Sequence, residues 1–192
     1  TYVENINFRG RNIKVVGENR ETTIIDGNNS GTVVSMTACS NATVLSGFTL
    51  KNGAGVNGGG LSLFNSEPVL SDLLITENSA STNGAGIYFD FSNPSLMNVT
   101  ITNNTSNGSG GGIYAENSSF TLDNVTVSNN ISTGDDPLIS EAGGISVSTE
   151  NSSSNKHIRI VNSIISGNTA SGGSSTGGLF FFAIDSVTIA ST

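Results

Sequence analysis

The stretch that decides the fold is Gly84–Ser109, GAGIYFDFSNPSLMNVTITNNTSNGS. Gly86-Ile87-Tyr88-Phe89-Asp90 alternates apolar and polar residues, and Asn93-Pro94 marks a turn. Ser95-Leu96-Met97 is a short apolar run stopped by Asn98, and Val99-Thr100-Ile101-Thr102 alternates again. A polar, Gly-containing loop follows, from Asn103 to Ser109. Alternation over runs this short is a strand pattern, and nothing nearby holds a helical period. The unit is therefore three short strands and three turns. It restarts at once, with Gly112-Ile113-Tyr114, Phe120-Thr121-Leu122 and Val125-Thr126-Val127-Ser128 as the next three strands.

Outward from this stretch, one phrase recurs. It reads GGGL at Gly58–Leu61, GAGI at Gly84–Ile87, GGGI at Gly110–Ile113, AGGI at Ala142–Ile145 and TGGL at Thr176–Leu179. Gly60 to Gly86 and Gly86 to Gly112 are steps of 26 residues; Gly112 to Gly144 and Gly144 to Gly178 are steps of 32 and 34. A fixed period of this size, stretched in some copies by inserted loops, is the mark of a solenoid. Third strands are expected at Phe48–Lys51, Leu73–Thr76, Ser163–Ser166 and Val187–Ala190. Val3–Phe8, Ile13–Val16 and Thr22–Asp26 would form an opening coil. The sum is an all-β, right-handed parallel β-helix of about seven coils with three strands per coil, about 34 Å long at the usual strand spacing. Leu70, Leu73, Ile75, Leu96, Val99, Ile101, Leu122, Val125 and Val127 are its predicted core.

Two Asn columns should run along the rod. One precedes the third strands (Gly47, Asp72, Asn98, Asn124, Asn162, Ser186), where a tight turn favours left-handed backbone. The other follows them (Asn78, Asn104, Asn130, Asn168), and the amides of both columns, Asn98, Asn124 and Asn162 included, could bond to one another as a ladder along the rod.

The coil pattern and its Asn columns resemble the parallel β-helix repeats of the pectate-lyase-like superfamily. The alternation of GGGI-type phrases with Ile-Thr-Asn-Asn and Val-Ser-Asn-Asn resembles the repeats of polymorphic outer-membrane adhesins. The opening, TYVENINFRGRNIKVVGENRETTIIDGNNSGTVV, is similar to the start of β-helix segments in large secreted or surface-anchored bacterial proteins. These resemblances imply an extracellular or cell-surface location and a structural or adhesive rod. The fold also hosts lyases and hydrolases, so it does not fix the chemistry.

Composition narrows the classes. The 192 residues carry a net charge of −8 with only seven Lys and Arg, which disfavours nucleic acid as a partner. The lone Cys39 excludes an internal disulfide, and no run is long and apolar enough to span a membrane. The single domain, 1–192, is expected to be a segment of a longer protein or a filament subunit. End-to-end self-association or flanking domains would then cover its ends.

No catalytic cluster stands out, no cofactor is expected, and the balance falls against an enzyme. Asp90 and Glu116, each four residues past its aligned Gly, form the one stacked acidic pair. They are the candidate carbohydrate or cation contact, Ca²⁺ being the ion such oxygens suit. Asp135, Asp136 and Glu141 are a second possible cation loop. A carbohydrate-binding or polysaccharide-cleaving β-helix is the alternative to the rod. Ice binding is a minor one, suggested by the Thr49, Thr100, Thr126 and Thr188 column. Among many N-x-[ST] sequons, Asn28, Asn107, Asn117 and Asn151 fall in loops where a glycan could attach.

Overall fold

The computed structural model describes residues 1–134, 142–149, 155–171 and 176–191. They form a parallel β-solenoid of about seven turns, with no helix among the described residues. Three sheets of seven strands run its length. The first contains Leu61–Phe64, Ile87–Asp90 and Ile113–Glu116; the second Val69–Ser71, Ser95–Met97 and Phe120–Asp123; the third Leu74–Thr76, Thr100–Thr102 and Thr126–Ser128. Every strand pairs in parallel with its equivalent one coil on, as Ile87↔Ile113 and Tyr88↔Tyr114 illustrate.

A fourth sheet of five two-residue strands lies in the loop after the third sheet, at Ala54–Gly55, Ser79–Ala80, Thr105–Ser106, Ile131–Ser132 and Thr169–Ala170. Runs of two residues carry no alternation, so the sequence shows them only as loop.

The last strand needs correction. Ser186–Ala190 pairs with His157–Val161 and so belongs to the second sheet, not the third. Thr188 therefore lies beside Arg159, outside the Thr column, and Ser186 leaves the turn column. Second and third strands share one hydrophobic pattern, and only the partner distinguishes them. The opening differs too. Tyr2–Val3 is a third-sheet strand beside Ile24–Asp26, and Ile6–Asn7 alone joins the first sheet.

The predicted core residues are all buried, and Phe89, Phe120, Ile87 and Ile113 join them. Alternation puts one side chain in two inside, and each coil shields its neighbours' apolar face. Turns between sheets use left-handed residues in columns: Asp72, Asn98, Asn124 and Asn162 before the third sheet, and Asn52, Glu77, Asn103 and Asn129 after it.

The two Asn columns are unlike. The Asn78, Asn104, Asn130 and Asn168 column is buried, and each Nδ2 of the first three donates to the next coil's Oδ1 at 2.9–3.0 Å. The same Oδ1 atoms accept the backbone N–H of the coil before. Asn98, Asn124 and Asn162 are exposed turn residues joined by side-chain bonds: Asn98 Nδ2 donates to Asp72 Oδ1, Asn124 Nδ2 to Asn98 Oδ1 at 3.3 Å and Asn162 Nδ2 to Asp123 Oδ1 at 3.2 Å.

The Gly phrase and the buried Asn column form one packing unit. A Cβ on Gly86 would lie 2.5 Å from the Gly112 carbonyl oxygen, 2.7 Å from Ile101 Cγ2 and 3.1 Å from Asn104 Nδ2. Gly60 meets Ile75 and Asn78 in the same way, and Gly112 meets Val127 and Asn130. The amide ladder thus fills the space that the glycines leave.

A further ladder is not apparent in the sequence. Ser66, Ser92 and Ser118 Oγ each accept the N–H of Cys39, Ser66 and Ser92 respectively, at 2.9–3.1 Å. Each also donates to its own i−2 carbonyl. Serine is common enough in this chain to hide the column. Cys39 is its buried first member.

Candidate functional site

The outward face of the first sheet is where the sequence-predicted acidic pair lies. Asp90 and Glu116 are direct neighbours across two paired strands, with Phe64 below and Ser148 above in the same column. Two residues earlier, on the same face by strand alternation, Tyr88 stands beside Tyr114. Their rings are parallel, with centroids 5.8 Å apart. The Tyr88 hydroxyl donates to Glu116 Oε2 at 2.6 Å. Burial, reinforced by Glu116 and then by Asp90 and Tyr114, pushes the Tyr88 hydroxyl well above its ordinary value near 10. It is therefore a fixed donor at neutral pH. Phe91 follows Asp90 and is 57% exposed, and Phe64 is 49% exposed. Two carboxylates and two tyrosine rings thus share this face, with Phe64 in the column of the acids and Phe91 next to Asp90 in the chain.

The tyrosines are legible in the repeat but carry no functional weight there. What the sequence could not show is their joint orientation with the acids, which depends on the coil register.

Arg20 is a second feature beyond sequence reasoning. The Gly17–Thr22 segment folds along the rod, and Arg20 Nη1 donates to the carbonyls of Leu73 at 3.3 Å and Asn98 at 3.1 Å. Thr49 Oγ1 donates to the Arg20 carbonyl at 2.5 Å. A cavity of roughly 430 Å³ lies beneath, lined by Glu18, Asn19, Arg20, Glu21, Asp72 and Asn98 among others. A basic group from the first coil thus reaches coils whose own sequence has none.

Other candidates do not converge. His157 lies in the second sheet, its Nδ1 2.7 Å from Ser186 Oγ. No group of three or more His, Cys, Asp or Glu suited to a metal occurs among the described residues. Asp135, Asp136, Glu141 and Asn151 lie outside those residues. Asn28 and Asn107 are exposed, whereas Asn117 is buried and in left-handed backbone. The third-sheet Thr column is broken by Leu74 and Ile164 in register.

Two stretches, 72–90 and 98–116, match the family model described as the Chlamydia polymorphic membrane protein repeat. Both begin at the left-handed turn before a third-sheet strand. Both pass through a ladder asparagine (Asn78 or Asn104) and the Gly phrase. They end at Asp90 and Glu116. Neither the curated proteins nor the solved structures give a match to the chain. The chain is a β-helix repeat protein whose repeats resemble those of the polymorphic membrane proteins.

Proposed function

We propose that this chain is the rod of a surface-associated, adhesive protein, displayed extracellularly. The observation that carries this is the coincidence of two matched repeats with an unbroken seven-strand first sheet. The outer face of that sheet changes character at those same repeats. A solenoid gives such a face length and stiffness without a pocket, which suits contact with a large partner.

The rod continues end to end in this proposal. Tyr2–Val3 and Ile164–Ser166 are the two edges of the third sheet, and Lys14–Val16 and Ser186–Ala190 are those of the second. Unpaired edges of this sort are templates for further strands. Flanking repeats of the same polypeptide, or a second copy stacked head to tail, would extend all three long sheets in parallel.

Beads coated with the purified chain test the adhesive role. They should bind cultured cells above beads carrying an unrelated acidic protein. No excess binding, or release of product from a polysaccharide panel, would overturn it. Micrographs test stacking: fibres with an axial repeat of ~34 Å support it. Single rods that still adhere would remove self-stacking and leave the flanking repeats.

A further inference from the structure

Between Lys51 and Lys156 the chain has no Lys, Arg or His, yet it carries Glu67, Asp72, Glu77, Asp90, Glu116 and Asp123. Within this anionic mid-section one face stands apart. The Tyr column holds Ser62 before Tyr88 and Ser146 after Tyr114, so the sheet accepts serine at that position. The rings are therefore not a requirement of the fold. Phe91 is a stronger case. It occupies the left-handed turn position (φ 46°) that Asn65 and Asn117 hold in the adjoining coils. A bulky side chain is disfavoured there, and its exposure means that burial does not compensate. An aromatic group is thus held out beside the carboxylates at a conformational cost.

We infer that Phe64, Tyr88, Asp90, Phe91, Tyr114 and Glu116 form a docking face for a cationic partner, an extended Lys- or Arg-bearing segment of another protein. Charge complementarity carries this choice. Neighbouring carboxylates with no basic residue in their column attract a cation, and aromatic faces beside them add cation–π attraction. Lys and Arg stems lie readily on exposed rings such as Phe64 and Phe91. Paired coils set the acids about 4.8 Å apart, while alternate residues of an extended segment are about 6.6 Å apart, close enough for two cations to reach both. Anionic glycans would be repelled by the carboxylates. The inference rests on the adhesive reading and names the partner chemistry of that reading's distinctive face.

The test is fluorescence anisotropy of a labelled peptide of alternating Lys and Thr against the full chain, at low and at physiological salt. Binding should be saturable and should weaken as salt screens it. Asp90→Asn with Glu116→Gln should weaken it about tenfold. Gln keeps an acceptor for the Tyr88 hydroxyl, so the face should stay folded. Phe64→Thr with Phe91→Asn installs side chains that adjoining coils hold (Thr37 and Asn117) and should weaken binding about fivefold. Glu77→Gln with Asp123→Asn removes the same charge elsewhere and should change affinity less than about twofold. Equal loss in that control would overturn the proposal in favour of overall charge. Binding of a neutral cello- or chito-oligosaccharide without the peptide would overturn it in favour of a glycan. Beads that adhere to cells while the peptide fails would sink this inference alone; failure of both would sink the adhesive role as well.

Discussion

The coil from Gly84 to Ser109 and the opening from Tyr2 to Asp26 use the same kinds of strand and hold them by different means. In the middle coil Ile87, Phe89, Leu96, Val99 and Ile101 are buried, and the amide and hydroxyl ladders continue on both sides. In the opening, Val15 is half-buried, and Tyr2, Val3 and Val16 are 57%, 66% and 67% exposed. An open cavity of roughly 370 Å³ lies there, lined by Ile6, Val15, Ile25 and Phe48 among others. No amide ladder reaches that end; Arg20 ties the opening to later coils through two backbone carbonyls. The difference teaches that a solenoid coil is stabilised from two sides, and where one side is missing a side chain must reach further.

The sharpest way to break this comparison is at the ladder. Asn104→Ala leaves the Asn78 N–H and the Ile75 carbonyl buried without their present partner, and should cost about 4 kcal/mol. Asn12, an exposed acceptor for Ser40 N–H and Thr43 Oγ1, should cost only about 1 kcal/mol on the same change. Urea unfolding midpoints give both values.

Next comes the glycine column. Gly86→Ala drives a methyl against the Gly112 carbonyl and Ile101 and should cost about 3 kcal/mol. At Gly178 a Cβ would meet nothing within 4 Å, so Ala should be tolerated there within about 0.5 kcal/mol. If the two variants melted alike, packing between coils would not be the reason for the phrase.

Arg20→Ala should have a smaller and local effect, about 1.5 kcal/mol. Hydrogen exchange would locate it: faster exchange in Lys14–Val16 and Ile24–Asp26, with Thr100–Thr102 unchanged. Uniform loss of protection would mean that the coils unfold as one unit.

The smallest effect is tied to pH. Tyr88 is held in its neutral form in the folded rod, above its ordinary value near 10. That contribution is fully present below pH 10 and is lost as pH rises beyond it toward the folded value. Tyr88→Phe should therefore lose less thermal stability than the parent between roughly pH 10 and 12.

The repeat was legible because Gly86, Ile87, Val99, Ile101 and Asn104 answer to strong physical demands. A close approach excludes side chains, a core excludes charge, and a buried turn needs a side-chain amide. Chain order also sufficed to align Asp90 with Glu116, since one 26-residue step separates them. The rest was hidden for reasons that can be named. The serine ladder uses a residue too common to notice. Ser186–Ala190 has the pattern of either outer strand, and only its pairing with His157–Val161 assigns it. Arg20 lies 53 and 78 residues from the carbonyls it binds, and no periodicity points to it.

By itself, then, the sequence determined a parallel solenoid, its period, its core and the alignment of its acidic pair. Those follow from local alternation and from repetition, which a one-dimensional string records directly. Tertiary structure alone decided which Asn column is buried, how the glycines and amides interlock, where Arg20 reaches and that Tyr88 clasps Glu116. Each of those depends on distances between coils, and the chain order does not encode them until the stack has formed.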